Sequence, residues 1–381
     1  MDDKNERELQ QANPLFVYDG RRMRNLSDRK YTDYSSSVIF SKTNRTENLP
    51  SIYSFIPSSL THVSVNKLKC AVNTIKWTPD GRRLISGTAT GEFTLWNGYG
   101  FNFETILQAH ESAVRAMCWS PTGNFLVSGD NNGLIKYWHP SMSNIQIING
   151  HNESVRDISF APFDTKFCTC SDDGLVKIWD SKDAREENVL KGHGWDVRNA
   201  KWNPIKALIA SGGKDCAVKL WDPRASEIFT LHLHKNTIFT VKWSNDGLYL
   251  YTNGRDQVLK VTDLRTLKTF TFKPQGKDIT SSAVHPFRDD MIITGNSIGE
   301  INVYQLFVSN PIYTITKGHD NVIWSAEFHP LGHAFATGSL DQSVRFWTKS
   351  GQRMSQKSPN QTDFESNESD LGESSEIIPG L

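Results

Sequence analysis

The chain has 381 residues, and its 42 Lys and Arg side chains balance its 42 Asp and Glu side chains, so the formal net charge is zero. This balance excludes a wholly basic coat protein for nucleic acid, which would carry a large positive excess. An aromatic content of 11% predicts that most of the chain folds. No apolar run approaches the ~20 residues that span a membrane. The charged start and the five cysteines predict no secretory signal and a reducing compartment, cytosol or nucleus.

The charge is sorted along the chain. Residues 1–50 hold nine basic and eight acidic side chains, residues 51–349 hold 31 and 28, and residues 350–381 hold two and six. The first region, which we interpret as an arm and linker, contains the basic segment 18–30, YDGRRMRNLSDRK. A flexible tail, a nuclear import signal and a segment docking on an acidic partner all fit this composition. An RNA-binding element fits as well, because arginine pairs with phosphates and base edges and Tyr18 can stack on a base.

The middle region is built from a repeat. Its segments end, at intervals of 41 to 43 residues, at Trp96, Trp138, Trp179, Trp221, Thr262, Tyr304 and Trp347. The residues that stand 28 positions before these are Leu68, His110, His151, His193, His234, Gly276 and His319. Stretches such as LVKIWD are β-branched or alternate in polarity, and turn residues separate them, so each repeat predicts several short strands.

This pattern resembles the WD repeat, whose period is about 40–45 residues with an early His and a final Trp-Asp. The resemblance implies an all-β fold, a seven-bladed β-propeller over residues 51–349. The last repeat ends after its third strand. We therefore expect residues 60–65, LTHVSV, to supply the outer strand of the last blade and to close the ring, which removes exposed sheet edges.

Two groups of side chains look like hydrolase triads, but they recur at fixed repeat positions, whereas an enzyme needs one site. The WD resemblance implies instead that each forms a buried hydrogen-bonded tetrad with a tryptophan. The expected members are His151, Ser171, Asp173 and Trp179 in one repeat, and His319, Ser339, Asp341 and Trp347 in another. Repeat four has Gly213 at the serine position. Repeats one and six lack the histidine, so we expect their blades to depend on packing.

The sequence offers no catalytic apparatus, so we expect a protein that is not an enzyme and uses no cofactor or small-molecule substrate. Cys168 and Cys170 lie on one face of a predicted strand, but no further ligands stand near them, so no metal site is predicted.

Five side chains share a position five residues after the repeat histidine, which places them in one ring near a mouth of the channel. They are Arg115, Arg156, Arg198, Phe239 and Trp324. Blade-to-blade salt bridges and packing are one interpretation. Protein docking is the other, since Arg and Trp are enriched at interface hot spots.

Residues 350–381 are acidic and rich in serine, so we expect a disordered tail. Phosphorylation, protein binding and an inert end all fit its composition.

A more specific resemblance rests on segments outside the repeat consensus. They include 18–24 YDGRRMR, 33–39 DYSSSVI and 91–110 GEFTLWNGYGFNFETILQAH. These segments resemble the WD-repeat subunit of the mRNA cleavage and polyadenylation specificity factor, the polyadenylation factor subunit 2 family of yeasts. The resemblance implies a nuclear protein that helps to recognise the AAUAAA signal of pre-mRNA. Its implied partners are a multi-propeller scaffold subunit and a zinc-finger subunit.

The same resemblance implies which residues contact RNA. They are Arg21, Arg22, Arg24 and Arg29 in the arm, Tyr18 and Phe103 as facing rings, and Lys67 and Lys69 before blade one. Outer-strand packing is the alternative role for Phe103. The alternative function is a generic WD scaffold, for instance an adaptor in a ubiquitin ligase, which would need neither residues 18–30 nor Phe103.

Overall fold

The structure is a computed structural model that describes residues 56–66, 68–224 and 227–349. Within these ranges the chain forms 28 β-strands and no helix, and the strands make seven antiparallel sheets of four. The all-β, seven-bladed propeller predicted from the repeat is therefore confirmed. Residues 18–30, Lys67 and residues 350–381 lie outside the described ranges. No helix in the described part of the chain is long and apolar enough to cross a membrane.

The strands are mostly five or six residues long. In the first half of the chain they are β1 (Ser59–Val65), β2 (Val72–Trp77), β3 (Arg83–Thr88), β4 (Glu92–Asn97), β5 (Phe103–Gln108), β6 (Val114–Trp119), β7 (Leu126–Asp130), β8 (Leu134–Trp138), β9 (Asn144–Asn149), β10 (Val155–Phe160), β11 (Lys166–Ser171), β12 (Leu175–Asp180), β13 (Glu186–Lys191) and β14 (Val197–Trp202). The others are β15 (Ile209–Gly213), β16 (Val218–Trp221), β17 (Glu227–Leu231), β18 (Ile238–Trp243), β19 (Tyr249–Gly254), β20 (Leu259–Asp263), β21 (Thr269–Thr271), β22 (Ile279–Val284), β23 (Met291–Asn296), β24 (Ile301–Gln305), β25 (Tyr313–Ile315), β26 (Ile323–Phe328), β27 (Ala334–Ser339) and β28 (Ser343–Thr348).

Each of the first six blades is a meander of four consecutive strands, from β2–β5 to β22–β25. The first strand of each blade packs against the first strand of the next, and β26 packs against β2, so these strands line the central channel. Apolar clusters fill the space between neighbouring blades. Cys168 and Cys170, for example, are fully buried with Val197 and Trp202 of the following blade.

The seventh blade takes strands from both ends of the propeller. Its order is β1-β28-β27-β26, and β1 pairs antiparallel with β28 from Ser59 opposite Thr348 to Val65 opposite Ser343. The Ser59 hydroxyl also donates to the Thr348 carbonyl at 2.7 Å. This pairing closes the ring, because a strand from the first part of the chain completes the four-stranded sheet of the last blade.

The first strand of every blade carries a register irregularity one residue after its start, for instance between Val114 and Ala116 in β6. The same shift occurs in β2, β10, β14, β18, β22 and β26. A β-bulge of this kind inserts one extra residue and re-aims its side chain. The skipped residues are Asn73, Arg115, Arg156, Arg198, Phe239, Thr280 and Trp324, and all seven line one cavity at the channel.

Candidate functional site

Blade three shows the repeated polar network in full. The Trp179 indole nitrogen donates to Thr169 Oγ1 at 2.9 Å, and that hydroxyl lies 2.7 Å from His151 Nε2. His151 Nδ1 lies 2.8 Å from Asp173 Oδ2. Because a carboxylate only accepts, Nδ1 carries the ring proton and the Thr169 hydroxyl donates to Nε2. Every polar atom of this chain of contacts has a partner, so the network fixes the blade geometry.

The structure corrects the expected hydroxyl of the tetrads. Blade three uses Thr169 in place of Ser171, and blade seven uses Thr337, between His319 and Trp347, in place of Ser339. Ser171 Oγ instead accepts from the Asp173 backbone nitrogen, and Ser339 Oγ donates to the Val322 carbonyl. The cause is geometric. The tryptophan indole extends along the sheet over two cross-strand residue pairs, so it meets the residue ten positions before it in the sequence. The expected serine stands eight positions before the tryptophan, at the end of the strand.

Three other blades also take the hydroxyl of their network from the position ten residues before the end of the repeat. Blade four completes its tetrad with Ser211, so Gly213 leaves no gap in it. Blade two is also complete, because Asp130 takes the carboxylate role beside His110 and Ser128. Blade five has Thr262 at the position of the tetrad tryptophan, and its network is His234, Thr252 and Asp256.

The two blades without the histidine are also held by polar contacts, contrary to the expectation that packing alone supports them. In blade six, Gln275 Nε2 donates to the Tyr304 hydroxyl at 2.5 Å and to Thr294 Oγ1 at 3.2 Å. Gln275 thus stands in the place of the histidine, one residue before the aligned Gly276. In blade one, the Trp96 indole nitrogen donates to Ser86 Oγ at 2.9 Å.

The pKa shifts and the burial of the network residues fit a structural role. Burial alone would raise the pKa of Asp173, but the hydrogen bond and charge of His151, together with hydrogen bonds from the Leu175 backbone and Ser171, hold that pKa below its usual range. Burial lowers the pKa of His319, which favours its neutral form. The Thr169 and Thr337 hydroxyls are fully buried inside their blades. Neither hydroxyl can meet a substrate without opening the blade.

The RNA-binding candidates are only partly described. Tyr18, Arg21, Arg22, Arg24, Arg29 and Lys67 lie outside the described residues. Phe103 begins the outermost strand of blade one, where its ring is 37% exposed and meets Trp96 edge-on with centroids 6.0 Å apart. Lys69 is exposed just before β2.

Strand pairing separates Phe103 from Lys69. Phe103 is opposite Trp96 near the end of β4, whereas Lys69 precedes the β2 start, which pairs with Thr88 at the other end of the blade. The two side chains therefore occupy opposite faces of the propeller, and one compact RNA contact does not include both.

The turn before Phe103 fixes where its ring lies. Asn97 Oδ1 accepts from the backbone nitrogens of Tyr99 and Gly100. Phe101 then stacks on Phe346 of blade seven with centroids 4.4 Å apart, and its carbonyl accepts from the Ser64 hydroxyl. A rigid turn that joins blades one and seven therefore presents Phe103, which suits a fixed stacking platform.

The ring of side chains five residues after the repeat histidines contains both salt bridges and an exposed tryptophan. The Arg156 guanidinium pairs with Asp172, and Arg198 lies 3.4 Å from Asp196 and 4.0 Å from Asp172. Trp324 is nevertheless 40% exposed. Blade-to-blade pairing and an accessible surface thus coexist at this ring. No signal in the sequence reveals the deeper channel residues Lys201 and Lys242, which reach the same cavity from the first strands of blades four and five.

Two family models match parts of the chain. The model described as WD domain, G-beta repeat matches residues 142–180, 185–222, 225–263 and 309–348. The model described as IFT140 first beta-propeller matches residues 39–145. Each of the four repeat matches covers the outer strand of one blade and the first three strands of the next blade. This offset between repeat and blade is the one expected when strands from both ends of the propeller close the ring.

Several curated proteins are similar to most of the chain, and each is named polyadenylation factor subunit 2. The Candida albicans protein is 39% identical over 346 residues, covering 83% of this chain and 63% of the relative. The Schizosaccharomyces pombe protein is 45% identical, covering 76% and 62%. The Saccharomyces cerevisiae protein is 37% identical, covering 77% and 64%.

The chain thus spans less than two thirds of the length of each of these three relatives. The resemblance inferred from YDGRRMR, FNFET and the neighbouring segments is confirmed by this similarity. The protein is a seven-bladed WD-repeat propeller similar, over about four fifths of its own length, to polyadenylation factor subunit 2.

Proposed function

We propose that this chain is a non-catalytic subunit of the nuclear complex that cleaves and polyadenylates pre-mRNA. Within it, the chain helps to recognise the AAUAAA signal and bridges other subunits, among them a multi-propeller scaffold and a zinc-finger protein. The observation that carries the proposal is the sequence identity of 37–45% to proteins named polyadenylation factor subunit 2 over most of the chain. The exposed Phe103 on its rigid turn supports the RNA part of the proposal.

In the proposed mechanism, Tyr18 and Phe103 hold splayed bases between two rings while the arm arginines attract phosphates. A single-stranded signal is read on base edges only when the bases are unstacked from one another and held. Stacking on an aromatic side chain contributes about 1–3 kcal/mol per base and tolerates any base. Arg21, Arg22, Arg24 and Arg29 add attraction that depends on salt.

The first test is a titration of AAUAAA RNA against the assembled complex. Phe103→Ala and Tyr18→Ala should each weaken binding by about 1–3 kcal/mol, because each removes one stacking face. Phe229→Ala is the matched control, since Phe229 lies on the outer strand of blade four and is 43% exposed. Phe103→Tyr should retain affinity. Equal affinity for the Phe103→Ala and Phe229→Ala complexes would refute the stacking role.

The second test separates RNA contact from protein docking by the arm. Arg21→Ala should reduce the slope of log affinity against log salt by about 0.7, the value for one single-stranded phosphate contact. Arg265→Ala is the control, because Arg265 is an exposed arginine paired with Asp263 on blade five. An unchanged slope for Arg21→Ala would show that the arm contacts protein.

Affinity purification of the tagged chain from its source cells tests the assignment to the complex. Cleavage and polyadenylation subunits should copurify with it. Copurification of ubiquitin-ligase subunits in their place would instead support the generic scaffold.

A further inference from the structure

The turn that presents Phe103 carries a second exposed ring. Tyr99 lies between β4 and β5, four residues before Phe103, and it is 62% exposed. The Tyr99 backbone nitrogen donates to Asn97 Oδ1 at 2.9 Å. The Asn97 backbone nitrogen closes the turn by donating to the Asn102 carbonyl, also at 2.9 Å. Tyr99 and Phe103 are therefore held at the same end of blade one.

The Asn97 side chain connects the backbone around both rings. Its Oδ1 accepts from Tyr99, while its Nδ2 donates to Glu104 Oε1 at 3.0 Å, and Glu104 directly follows Phe103. Arg83 Nε donates to the other oxygen of the same carboxylate at 2.6 Å. A side chain on an ordered backbone loses less entropy on binding than one that must first be ordered. The turn thus holds two rings in place before any ligand arrives.

An exposed cation lies beside this turn. The Arg82 carbonyl accepts from the Gly98 backbone nitrogen at 2.6 Å, so the β2–β3 turn and the β4–β5 turn are in contact. The Arg82 side chain is 73% exposed, and its Nε lies 3.9 Å from Asp80 Oδ2. Exposed ion pairs contribute little. Because Arg83 is engaged with Glu104, Arg82 is the guanidinium at this turn that can exchange its partner for a phosphate.

We propose that Tyr99 stacks on the base next to the one that Phe103 holds, and that Arg82 pairs with the phosphate beside it. This inference rests on the proposed function, because it extends the same RNA surface by one nucleotide. Aromatic rings stack on the unpaired bases of single-stranded RNA, and guanidinium groups bind phosphates through two parallel hydrogen bonds. One rigid turn then contacts two consecutive nucleotides.

The surroundings of the two rings favour RNA over a protein partner. The centre of a protein–protein interface is apolar and poor in charge. The side chains next to these rings are polar or charged instead, and they are Arg82, Arg83, Asn97, Asn102 and Glu104. Glu104 already accepts from two donors, so its charge is partly satisfied within blade one and opposes a phosphate only weakly.

The test is a double-mutant cycle with the assembled complex and the RNA decamer UUAAUAAAUU, in which each nucleotide in turn is made abasic. Tyr99→Ala should weaken binding of the intact decamer at least about fivefold, since one stacked base contributes at least about 1 kcal/mol. At one abasic position the substitution should cost nothing more, because the base that Tyr99 contacts is already absent. Phe103→Ala should identify its own position in the same way, and we expect the two positions to be neighbours.

Matched controls separate these contacts from general surface effects. Phe163→Ala is the control for Tyr99→Ala, because Phe163 is an 80% exposed ring between β10 and β11 of blade three. Arg82→Gln should reduce the slope of log affinity against log salt by about 0.7, and Arg82→Lys should retain the slope. Arg255→Gln should leave it unchanged, since Arg255 is a 63% exposed arginine of blade five that lies 3.6 Å from Asp278.

The possible failures are distinguishable. If Phe103→Ala weakened binding while Tyr99→Ala matched Phe163→Ala, the Tyr99 contact would be refuted and the proposed function would stand. If Phe103→Ala also had no effect, the RNA role of blade one would fail as a whole. Abasic positions that are not neighbours would overturn the two-base arrangement. Loss of a copurifying subunit from the Tyr99→Ala or Arg82→Gln complex, with unchanged RNA affinity, would assign this surface to protein.

Discussion

Thr169→Val tests whether the threonine hydroxyl is the centre of the blade-three network. The substitution keeps the side-chain shape, so the packing loss is small. It removes the acceptor of the Trp179 indole, at 2.9 Å, and the donor to His151 Nε2, at 2.7 Å. Each buried polar group left without a partner costs about 1–3 kcal/mol, so the two together should lower the free energy of unfolding by about 2–6 kcal/mol.

Urea unfolding followed by tryptophan fluorescence and circular dichroism measures this loss. Ser171→Ala is the matched control, since its hydroxyl contacts Asp173, with the backbone nitrogen at 3.2 Å, and neither Trp179 nor His151, and its loss should cost no more than about 1 kcal/mol. Thr169→Ser keeps the hydroxyl and should lose about 1 kcal/mol for one methyl group. If Thr169→Val and Ser171→Ala were equally stable, the network would have no energetic role, and the reasoning would be wrong.

Three further predictions concern other buried groups. Because burial and like charges lower the pKa of Lys242 to about 7, the unfolded chain binds more protons between that pH and the ordinary lysine range. Lys242→Met should therefore raise the melting temperature at pH 6–7, with a gain that shrinks toward pH 10; a gain independent of pH would reflect packing alone. Gln275→Leu should cost about 1–3 kcal/mol in urea unfolding, since it leaves the buried Tyr304 network incomplete, and a neutral effect would contradict the role of Gln275. In the native protein, Cys168 and Cys170 should resist a thiol reagent until urea is added, as read by mass spectrometry, because both are buried in an apolar cluster; rapid labelling at either site would refute that packing.

The repeat period was sufficient to predict the propeller, because a blade of four short strands needs a nearly constant number of residues. The spacing from His to Trp likewise predicted which side chains meet, since antiparallel pairing fixes their distance along the sheet. The sequence left open which hydroxyl completes the network. Positions eight and ten before the tryptophan both carry Ser or Thr in repeats three and seven, and only the direction of the indole decides between Thr169 and Ser171.

Other features lay beyond the sequence for physical reasons. In repeat two the carboxylate beside His110 comes from Asp130, which stands two residues before the position that Asp173 occupies in repeat three. Gln275 takes the role of the histidine, but it stands one residue before the position that the repeat alignment gives to the histidine. The pairing of channel charges depends on which neighbours of six different strands approach one another, and no spacing within one repeat encodes that.

The pairing of β1 with β28 has a consequence for synthesis on the ribosome. Ser59 and Thr348 are 289 residues apart in the chain, yet they hydrogen-bond in the finished ring. Contacts between such distant residues form slowly, because the loop between them must first be closed. During translation β1 leaves the ribosome well before its partner β28, since Ser59 precedes Thr348 by 289 residues. The seventh blade is thus completed only after the other six blades have been synthesised, and until then β1 is an unpaired strand edge of the kind that invites wrong pairing.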